Sequence, residues 1–312
     1  MGQESKKIQS KSGRPFHTPV MREQVVSYFS PIKEGVIVDA TFGGGGHTAA
    51  LLDHLDLAVQ VLGIDRDPAA IRRAPDRDRL RLVEDNFCRL DRILDDQGLD
   101  WIAGILFDLG VSSHQLDESG RGFSFRREGP LDMRMGSDTD RTAYQIVNDT
   151  QPDELTHILS SFGEERFSRR IARSIVANRP IETTVRLADV VTEAIPAATR
   201  RKGGHPARRT FQAIRLAVNE ELSDLSAGLE AGLGFLRKGG ICVAISYHSL
   251  EDRIVKRRFR LGEGRAPGPI LPEPPPVELK DLVGKVKRPD ADEVQQNPRA
   301  RSARLRAVEK VK

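Results

Sequence analysis

The amino-acid sequence predicts an α/β fold in which a mostly parallel sheet with crossover helices carries an α-helical insertion. Apolar runs alternate with helical patterns over residues 20–109, as they do where crossover helices join parallel strands. Three of the runs end at an aspartate, namely Asp39, Asp65 and Asp108. The alternation stops near Asp117 and resumes with an apolar run at 241–245, so the intervening residues are predicted to form an insertion.

Each strand is predicted from a short run of β-branched and aliphatic residues without polar alternation. This pattern is typical of strands that are buried on both faces. The five runs lie at 36–38, 59–64, 80–83, 102–109 and 241–245. A weak alternation over 301–310 predicts a final edge strand. The proline-rich stretch 261–300 is predicted to be irregular.

Helices are predicted where apolar residues recur at spacings of three and four. The shorter ones lie at 20–29, 48–55 and 68–73. A long amphipathic helix is predicted over 211–236, with Gly239 and Gly240 as its stop. The predicted organisation is a flexible tail at 1–14, a sheet domain formed by 15–117 and 211–312, and a helical insertion at 118–210.

The composition excludes several classes of protein. Hydrophobic residues make up 38% of the 312, enough for a sizeable core, and no apolar run approaches the length of a membrane span. The first fourteen residues lack the apolar segment of a signal peptide, and Cys88 and Cys242 cannot form a disulfide framework. A cytoplasmic location is therefore predicted. The seven histidines are scattered, so no metal site is predicted.

A glycine-rich turn after the first predicted strand indicates a ligand site. Asp39 ends that strand, and Gly43 to Gly46 open the next helix, where glycine permits positive φ and lets backbone N–H groups approach a ligand. Asp65 ends the second strand, where a carboxylate can accept hydrogen bonds from ribose hydroxyls. No Gly-Lys-Ser/Thr follows the turn, which excludes a P-loop. The pattern therefore predicts an adenosine-containing cofactor.

Two cofactors fit this pattern. The spacing of Gly44, Gly46 and Ala49 satisfies the dinucleotide motif, which makes NAD a competitor. Asp39 favours S-adenosylmethionine, because a carboxylate beside the turn attracts the α-ammonium of that cofactor and repels a pyrophosphate. A carboxylate that only caps the local turn is the alternative interpretation of Asp39.

Two further side chains are candidates for the same site. Phe87 follows the third strand, where an adenine ring needs an apolar or stacking wall, although a core phenylalanine would fit the same pattern. Asp108 ends the fourth strand, and ligands of doubly wound sheets lie beyond the carboxyl ends of the strands. Asp108 is thus a candidate for direct contact with a ligand, with a turn cap as the alternative.

Long motifs throughout the chain resemble those of a known family. They include DATFGGGGH at 39–47, DLGVSS at 108–113, RGFSF at 121–125, GPLDMRM at 129–135, RTFQA at 209–213, SYHSLEDR at 246–253 and NPRARS at 297–302. Together they are similar to the MraW family, from about Phe16 to Lys310. The resemblance implies a Rossmann-like class I methyltransferase fold with S-adenosylmethionine as cofactor.

The resemblance also implies a substrate and a set of contacts. The implied substrate is the N4 amine of a cytidine in the decoding centre of bacterial 16S rRNA, within the small ribosomal subunit. The implied cofactor contacts are Gly45, Gly46, His47, Asp65, Phe87, Asp108 and Gln115. Asp108 or a neighbouring backbone carbonyl is our hypothesis for the group that accepts the amine protons, because the usual Asp/Asn-Pro-Pro-Tyr/Phe run is absent. Monomer and homodimer both stay open.

Two clusters of basic residues are candidates for contacts with RNA phosphates. They comprise Arg200, Arg201, Lys202, Arg208, Arg209 and Arg215 in the first cluster, and Arg253, Lys256 and Arg257 in the second. A solvated helix face is the alternative. Phe123 or Phe125 is a candidate for stacking on an unstacked base, with a place in the core as the alternative.

Two other functions stay open from the sequence alone. One is an NAD-dependent oxidoreductase, disfavoured by Asp39 and by the lack of a clear hydride-transfer acid pair. The other is a non-catalytic RNA-binding protein on a methyltransferase fold, disfavoured by the intact cofactor positions. Methylation at cytosine C5 needs a cysteine nucleophile, and Cys88 and Cys242 are both interpreted as small apolar residues.

Overall fold

The computed structural model describes residues 19–200, 204–265 and 275–312. The predicted tail at 1–14 and two candidate RNA contacts, Arg201 and Lys202, lie outside these residues. None of the helices in the described part of the chain is long and apolar enough to cross a membrane.

The described residues form one seven-stranded sheet. Its strands, in chain order, are β1 (Gly35–Asp39), β2 (Val59–Asp65), β3 (Leu80–Glu84), β4 (Ile102–Asp108), β5 (Leu236–Ser246), β6 (Leu279–Asp281) and β7 (Arg304–Lys310). Their spatial order is β3-β2-β1-β4-β5-β7-β6. The first five strands are parallel, and β7 is antiparallel to both β5 and β6. The order reverses at β1 and β4, the place where doubly wound sheets bind ligands.

Helices connect and cover these strands. Those of the sheet region are α1 (Arg22–Phe29), α2 (Gly46–His54), α3 (Pro68–Arg73), α4 (Leu90–Asp96) and α5 (Ser113–Asp117). The middle of the chain forms α6 (Ala143–Asp149), α7 (Pro152–Ser161), α8 (Ser168–Ala177), α9 (Thr184–Ala194), α10 (Ala197–Arg200) and α11 (Arg208–Asn219). The remainder are α12 (Glu221–Phe235), α13 (Ser249–Gly262) and α14 (Ala291–Gln296), with short 3-10 helices at Phe87–Arg89, Ser119–Arg121 and Pro298–Ser302.

The predicted parallel sheet and its first three helices are confirmed, with ends that differ by a few residues. The strands could be predicted because they are apolar runs whose side chains, such as Ile37, Leu62 and Phe107, are fully buried in the sheet. Three of the predictions for residues 211–310 are wrong. Each concerns a place where contacts between residues far apart in the chain decide the structure.

The helix predicted over 211–236 is two helices. Glu220 has a left-handed φ of 52°, which ends α11 and starts α12 in a new direction. Apolar spacing continues across the break because both helices bury one face. The predicted stop is also wrong, since Gly239 and Gly240 lie inside β5, where the register against β4 shifts after Ile102. The positive φ of Gly239, 79°, accommodates that irregularity.

The other two corrections concern the C-terminal region. The strand at the end of the chain, β7, is not an edge strand, because it lies between β5 and β6. The edge is β6, a three-residue strand with Lys280 and Asp281 exposed. The stretch 261–300, predicted to be irregular, contains β6 and α14 within its described residues.

Three apolar clusters make up the core. One lies under α1 and α2 and includes Ile37 and Leu106, and a second lies under α4, α12 and α13 on the opposite face of the sheet. The third fills the middle of the chain between Phe123 and Val218. Helix α11 contributes buried residues to this third cluster. The boundary predicted at residue 210 falls inside α11, and we propose that the insertion extends to Asn219.

Candidate active site

A cavity of about 960 Å³ lies between the carboxyl ends of the strands and the insertion. On the sheet side it is lined by residues that follow β1, β2, β3, β4 and β5, among them Gly43, Asp65, Phe87, Asp108 and Tyr247. On the insertion side it is lined mostly by apolar side chains, among them Phe125, Met133, Met135 and Phe211. The site predicted from strand ends is therefore one continuous space that also reaches the insertion.

The glycine turn forms the floor of the cavity beside α2. Gly45 has a left-handed φ of 71°, and a Cβ there would lie 2.7 Å from Cζ of Phe42, so only glycine fits. Gly44 is open, with nothing within 4 Å of the equivalent Cβ position. Gly44 and Gly46 line the cavity, whereas Gly45 shapes the turn from beneath.

Asp65 faces the cavity at the end of β2. Its carboxylate accepts hydrogen bonds from the N–H of Gly43 at 2.7 Å and the N–H of Asp67 at 2.8 Å. Burial raises the pKa of Asp65 to about 6, although these two N–H groups oppose the increase. The side chain thus ties the glycine turn to the loop after β2.

Asp39 is engaged within the turn that follows β1. Its carboxylate is almost fully buried, accepts the hydroxyl of Thr48 at 2.7 Å and lies 3.4 Å from the N–H of Thr41. Burial raises the pKa of Asp39, with the Thr48 hydrogen bond opposing. Asp39 is not among the residues that line the cavity. The alternative interpretation, a carboxylate that caps the turn, fits this geometry better than direct contact with an ammonium.

Asp108 is held from several sides at the centre of the cavity. Its Oδ1 accepts the hydroxyl of Tyr247 at 2.8 Å, and its backbone N–H donates to Oγ1 of Thr41 at 2.7 Å. Its Oδ2 lies 3.4 Å from Nε2 of His47. Burial and the charge of Asp108 raise the pKa of Tyr247 well above its usual range, so the phenol stays protonated as a donor.

His47 lies at the start of α2 and is nearly buried. Neither ring nitrogen makes a hydrogen bond to another described residue. Burial by itself lowers the pKa of His47, but the nearby carboxylates of Asp108 and Asp39 outweigh it and raise that pKa. Nε2 faces the Asp108 carboxylate, whereas Nδ1 has no partner among the described residues. A buried nitrogen of that kind beside a cavity fits a residue whose partner is a ligand.

Phe87 and Gln115 both line the cavity, as predicted. The Phe87 ring meets the edge of Phe107 at 5.8 Å between centroids and packs on Gly228, where a Cβ would approach it to 2.5 Å. Gln115 accepts the N–H of Ser112 at 3.0 Å and donates from Nε2 to Asp67 at 3.3 Å. Phe87 therefore presents an apolar surface, and Gln115 is held in one orientation.

The insertion side of the cavity contains an aromatic cluster. Phe125 is half-buried and stacks on His205, with 4.5 Å between ring centroids and 19° between planes, and it meets Phe211 edge-on at 5.7 Å. Phe123 also lines the cavity, but it is buried in the insertion core. Phe125 is thus the better placed of the two predicted rings for stacking on a base.

The predicted RNA-binding arginines separate by their contacts. Arg208 is exposed, lines the cavity, and its guanidinium has no partner among the described residues. Arg215 makes a bidentate ion pair with Glu221, at 2.7 and 2.8 Å. Arg200 donates to carbonyls at the end of α9, whereas Arg209 and Arg253 both bond to Glu164.

The second cluster continues along α13, away from the cavity. Lys256 and Arg257 are exposed there and do not line it. Their contact with RNA stays a prediction.

Several residues of the site were not predicted. Tyr247 follows the end of β5, so the strand-end rule that identified Asp108 also points to it. Arg299 lines the rim and pairs with Asp117 at 3.0 Å, and Arg121 reaches across to Asp67. Both arginines stand in motifs that carry the family resemblance, but their partners Asp67 and Asp117 are far away in the chain, so the sequence did not show their contacts.

The two cysteines lie outside the cavity. Burial raises the pKa of Cys88 to about 11 and raises that of Cys242, which is fully buried in β5. Neither cysteine lines the cavity. Within the described ranges, no group of three His, Cys, Asp or Glu residues is arranged to hold a metal ion.

A sheet of this strand order, with β7 reversed beside β5 and a glycine turn after β1, has the Rossmann-like class I methyltransferase fold. The model of the MraW methylase family matches residues 14–311. The chain is 46% identical over 306 residues to the ribosomal RNA small subunit methyltransferase H of Halothermothrix orenii, covering 95% of this chain and 98% of that protein. It is 47% identical to the protein of that name from Geobacter sulfurreducens, covering 95% and 99%. The chain belongs to the MraW methylase family.

Proposed function

We propose that this protein transfers the methyl group of S-adenosylmethionine to the N4 amine of a cytidine in the decoding centre of 16S rRNA, within the small ribosomal subunit and in the cytoplasm. One observation carries the proposal: the Asp108 carboxylate, held by the Tyr247 hydroxyl, lines one cavity that the strand ends and the insertion share. The names of the relatives support small-subunit rRNA as the substrate.

The sheet side of the cavity fits the cofactor. We assign Asp65 to the ribose, Phe87 to the adenine, and the turn at Gly44 and Gly46 to close backbone approach. His47 and Gln115 complete the set with polar groups that face the cavity. When bound, the cofactor supplies an electrophilic methyl group on a sulfonium. A positive ligand is favoured there by the carboxylates of Asp65 and Asp108.

The insertion side fits the base. A cytidine must leave its stack for its amine to reach the methyl group. Phe125 lines the cavity with His205 stacked on its ring and the Arg126 guanidinium 5.8 Å from the ring centroid, and we assign this aromatic group to the base. We propose that 118–219 form the RNA-recognition unit, with Arg208 and Arg299 on phosphates at the rim. Oligomeric state does not enter this proposal, since the residues named come from one chain.

Asp108 is proposed to act on the amine. The N4 lone pair of cytosine is delocalised into the ring, so an acceptor for an N4–H proton favours attack by that lone pair. As the nitrogen–carbon bond forms and the carbon–sulfur bond breaks, the nitrogen must release one proton. Oδ2 of Asp108, which lacks the Tyr247 hydrogen bond that holds Oδ1, is the oxygen we assign to receive it.

Transfer assays on defined substrates test the proposal. Tritiated S-adenosylmethionine is offered to naked 16S rRNA, free 30S subunits and 70S ribosomes that lack the modification, followed by nucleoside mass spectrometry. We expect N4-methylcytidine, with 30S subunits as the best substrate. Product at cytosine C5 would contradict the proposed chemistry. Binding of NADH but not S-adenosylhomocysteine would favour an oxidoreductase, and RNA binding without transfer would favour the non-catalytic alternative.

The Asp108→Asn variant tests the proposed acceptor. An amide can still accept from Tyr247 but cannot take up the amine proton, so we expect kcat to fall by about 100-fold or more, within the range of general acid–base effects. The matched control is Asp53→Asn, which removes an exposed carboxylate paired with Arg77. Full turnover of Asp108→Asn with unchanged affinity for S-adenosylhomocysteine would show that the acceptor lies elsewhere.

A further inference from the structure

Arg121 joins the cofactor side of the cavity to the insertion. Its Nη1 donates to Oδ2 of Asp67 at 3.0 Å, and its Nη2 donates to the carbonyl oxygens of Arg134 and Met135 at 3.1 and 3.0 Å. The carbonyl of Arg121 accepts the N–H of Met133 at 3.0 Å. One residue therefore fixes both the loop after β2 and the segment of the insertion that lines the cavity.

Asp67 connects this arginine to two proposed cofactor contacts. Its Oδ2 also accepts Nε2 of Gln115 at 3.3 Å, and its own N–H donates to Asp65 at 2.8 Å. The Asp67 side chain is buried and caps α3 through the N–H of Ala69. Asp65, Gln115 and Arg121 are thus held by the same residue.

The segment that Arg121 holds is conformationally strained. Met133 has φ 60°, in the left-handed region that disfavours side chains with a Cβ, and it is buried while lining the cavity. Asn219 fixes it from the other side, donating to the Met133 carbonyl and accepting the Met135 N–H, both at 2.8 Å. Backbone strain of this kind persists where the surroundings over-determine it, and it concentrates at ligand clamps.

We propose that Arg121 is a positioning residue that couples the binding of the cofactor to the binding of the target base. The inference rests on the proposed function. A cofactor that contacts Asp65 and Gln115 fixes the loop at Asp67, and Arg121 passes that constraint to the segment whose Met133 and Met135 side chains form the wall for the base. Since such coupling is reciprocal, bound RNA tightens the cofactor site by the same factor.

Binding measurements in both directions test the coupling. The affinity of tritiated S-adenosylhomocysteine is measured with and without saturating unmodified 30S subunits, and the affinity of 30S subunits with and without S-adenosylhomocysteine. For the wild type we expect each ligand to tighten the other by about fivefold or more. For Arg121→Gln we expect both factors to fall towards one, with a smaller change in the affinity of either ligand alone.

Two further variants keep the test decisive. Asp67→Asn retains the helix cap but weakens the pair with Arg121, so it should also lose the coupling, and it replaces Arg121→Gln should that variant fail to fold. Arg141→Gln is the matched control, because this insertion arginine bonds to Glu154 and Thr150 outside the cavity, and its coupling should stay at the wild-type value.

Absence of coupling in the wild type, or full coupling in a folded Arg121→Gln or Asp67→Asn variant, would overturn the inference. Methyl transfer to rRNA by the same wild-type preparation would show that the proposed function survives that result.

Discussion

The sheet side and the insertion side of the cavity are built in different ways. On the sheet side, polar groups follow strand ends, and each has its hydrogen bonds fixed by neighbours, as the N–H groups of Gly43 and Asp67 fix Asp65. On the insertion side, Phe125, Met133 and Phe211 come from separate segments and present apolar surface. Fixed polar groups suit a charged cofactor, whereas apolar surface suits a planar base.

The difference teaches where rigidity is needed. The sheet half must match the charges of one small molecule, so its backbone is set by local turns next to strands. The insertion half must accept a base that leaves a folded RNA, and stacking on a ring tolerates more variation than hydrogen bonding to a carboxylate. Variants of the sheet half should therefore affect cofactor affinity, and variants of the insertion half should affect the KM for RNA.

Among the tests of this difference, the largest effect on stability and cofactor binding is expected at the glycine turn. Gly45→Ala places a Cβ 2.7 Å from the Phe42 ring at a φ of 71°, so we expect a loss of about 2–4 kcal/mol of stability from strain and overcrowding. S-adenosylhomocysteine binding should be lost with it. Thermal unfolding and calorimetry measure both effects. Gly234→Ala, in α12, is the control, because its Cβ meets nothing within 4 Å and it does not line the cavity, and equal damage there would contradict the argument.

A smaller effect is expected on the other half, at Phe125. Phe125→Leu keeps an apolar side chain but removes the ring face, and stacking contributes about 1–3 kcal/mol per base. We expect the KM for 30S subunits to rise by about tenfold, with unchanged affinity for S-adenosylhomocysteine. Tyr144→Leu, at an exposed position, is the control, and steady-state kinetics compare the KM values of the two variants. A change in cofactor affinity alone would break the division between the halves.

The division also explains what the sequence could predict. The parallel strands, the glycine turn, Asp65 and Asp108 follow from runs of residues that are close in the chain. The ends of α11 and the wall at Met133 do not, because Asn219 and Arg121 fix them through contacts with residues far away in sequence. The sequence leaves two interpretations of Asp39 open for a related reason: only the folded structure shows that its carboxylate bonds to Thr48 and does not line the cavity.

The pH dependence of cofactor binding tests the sheet half more finely. Burial raises the pKa of Asp65 to about 6, against about 3.9 for an aspartate in an unfolded chain. Between these values the folded protein holds a proton that the unfolded chain has lost, so this group makes the unliganded fold less stable as pH rises through that window. The ionised form accepts ribose hydroxyls, so affinity for S-adenosylhomocysteine should increase up to about pH 6 and then level off.

Calorimetry from pH 5 to 8 measures this profile, with Asp65→Asn as the comparison. The asparagine variant should bind weakly and lose the step near pH 6, which separates Asp65 from His47, whose pKa is also raised. A wild-type profile parallel to that of Asp65→Asn would assign the titration to another group and would contradict the proposed ribose contact.

The smallest effect is expected at the rim of the insertion half. Arg208→Glu removes a guanidinium that has no partner among the described residues, so we expect RNA affinity to fall by severalfold. The slope of log affinity against log salt concentration should become shallower by about one, the value for one phosphate contact. Arg215→Gln should leave that salt dependence unchanged, because Glu221 already holds Arg215. Lys256→Glu, on α13 outside the cavity, tests whether the RNA contacts also extend along α13. An effect there equal to that of Arg208→Glu would extend the RNA contact surface along α13, as the sequence predicts.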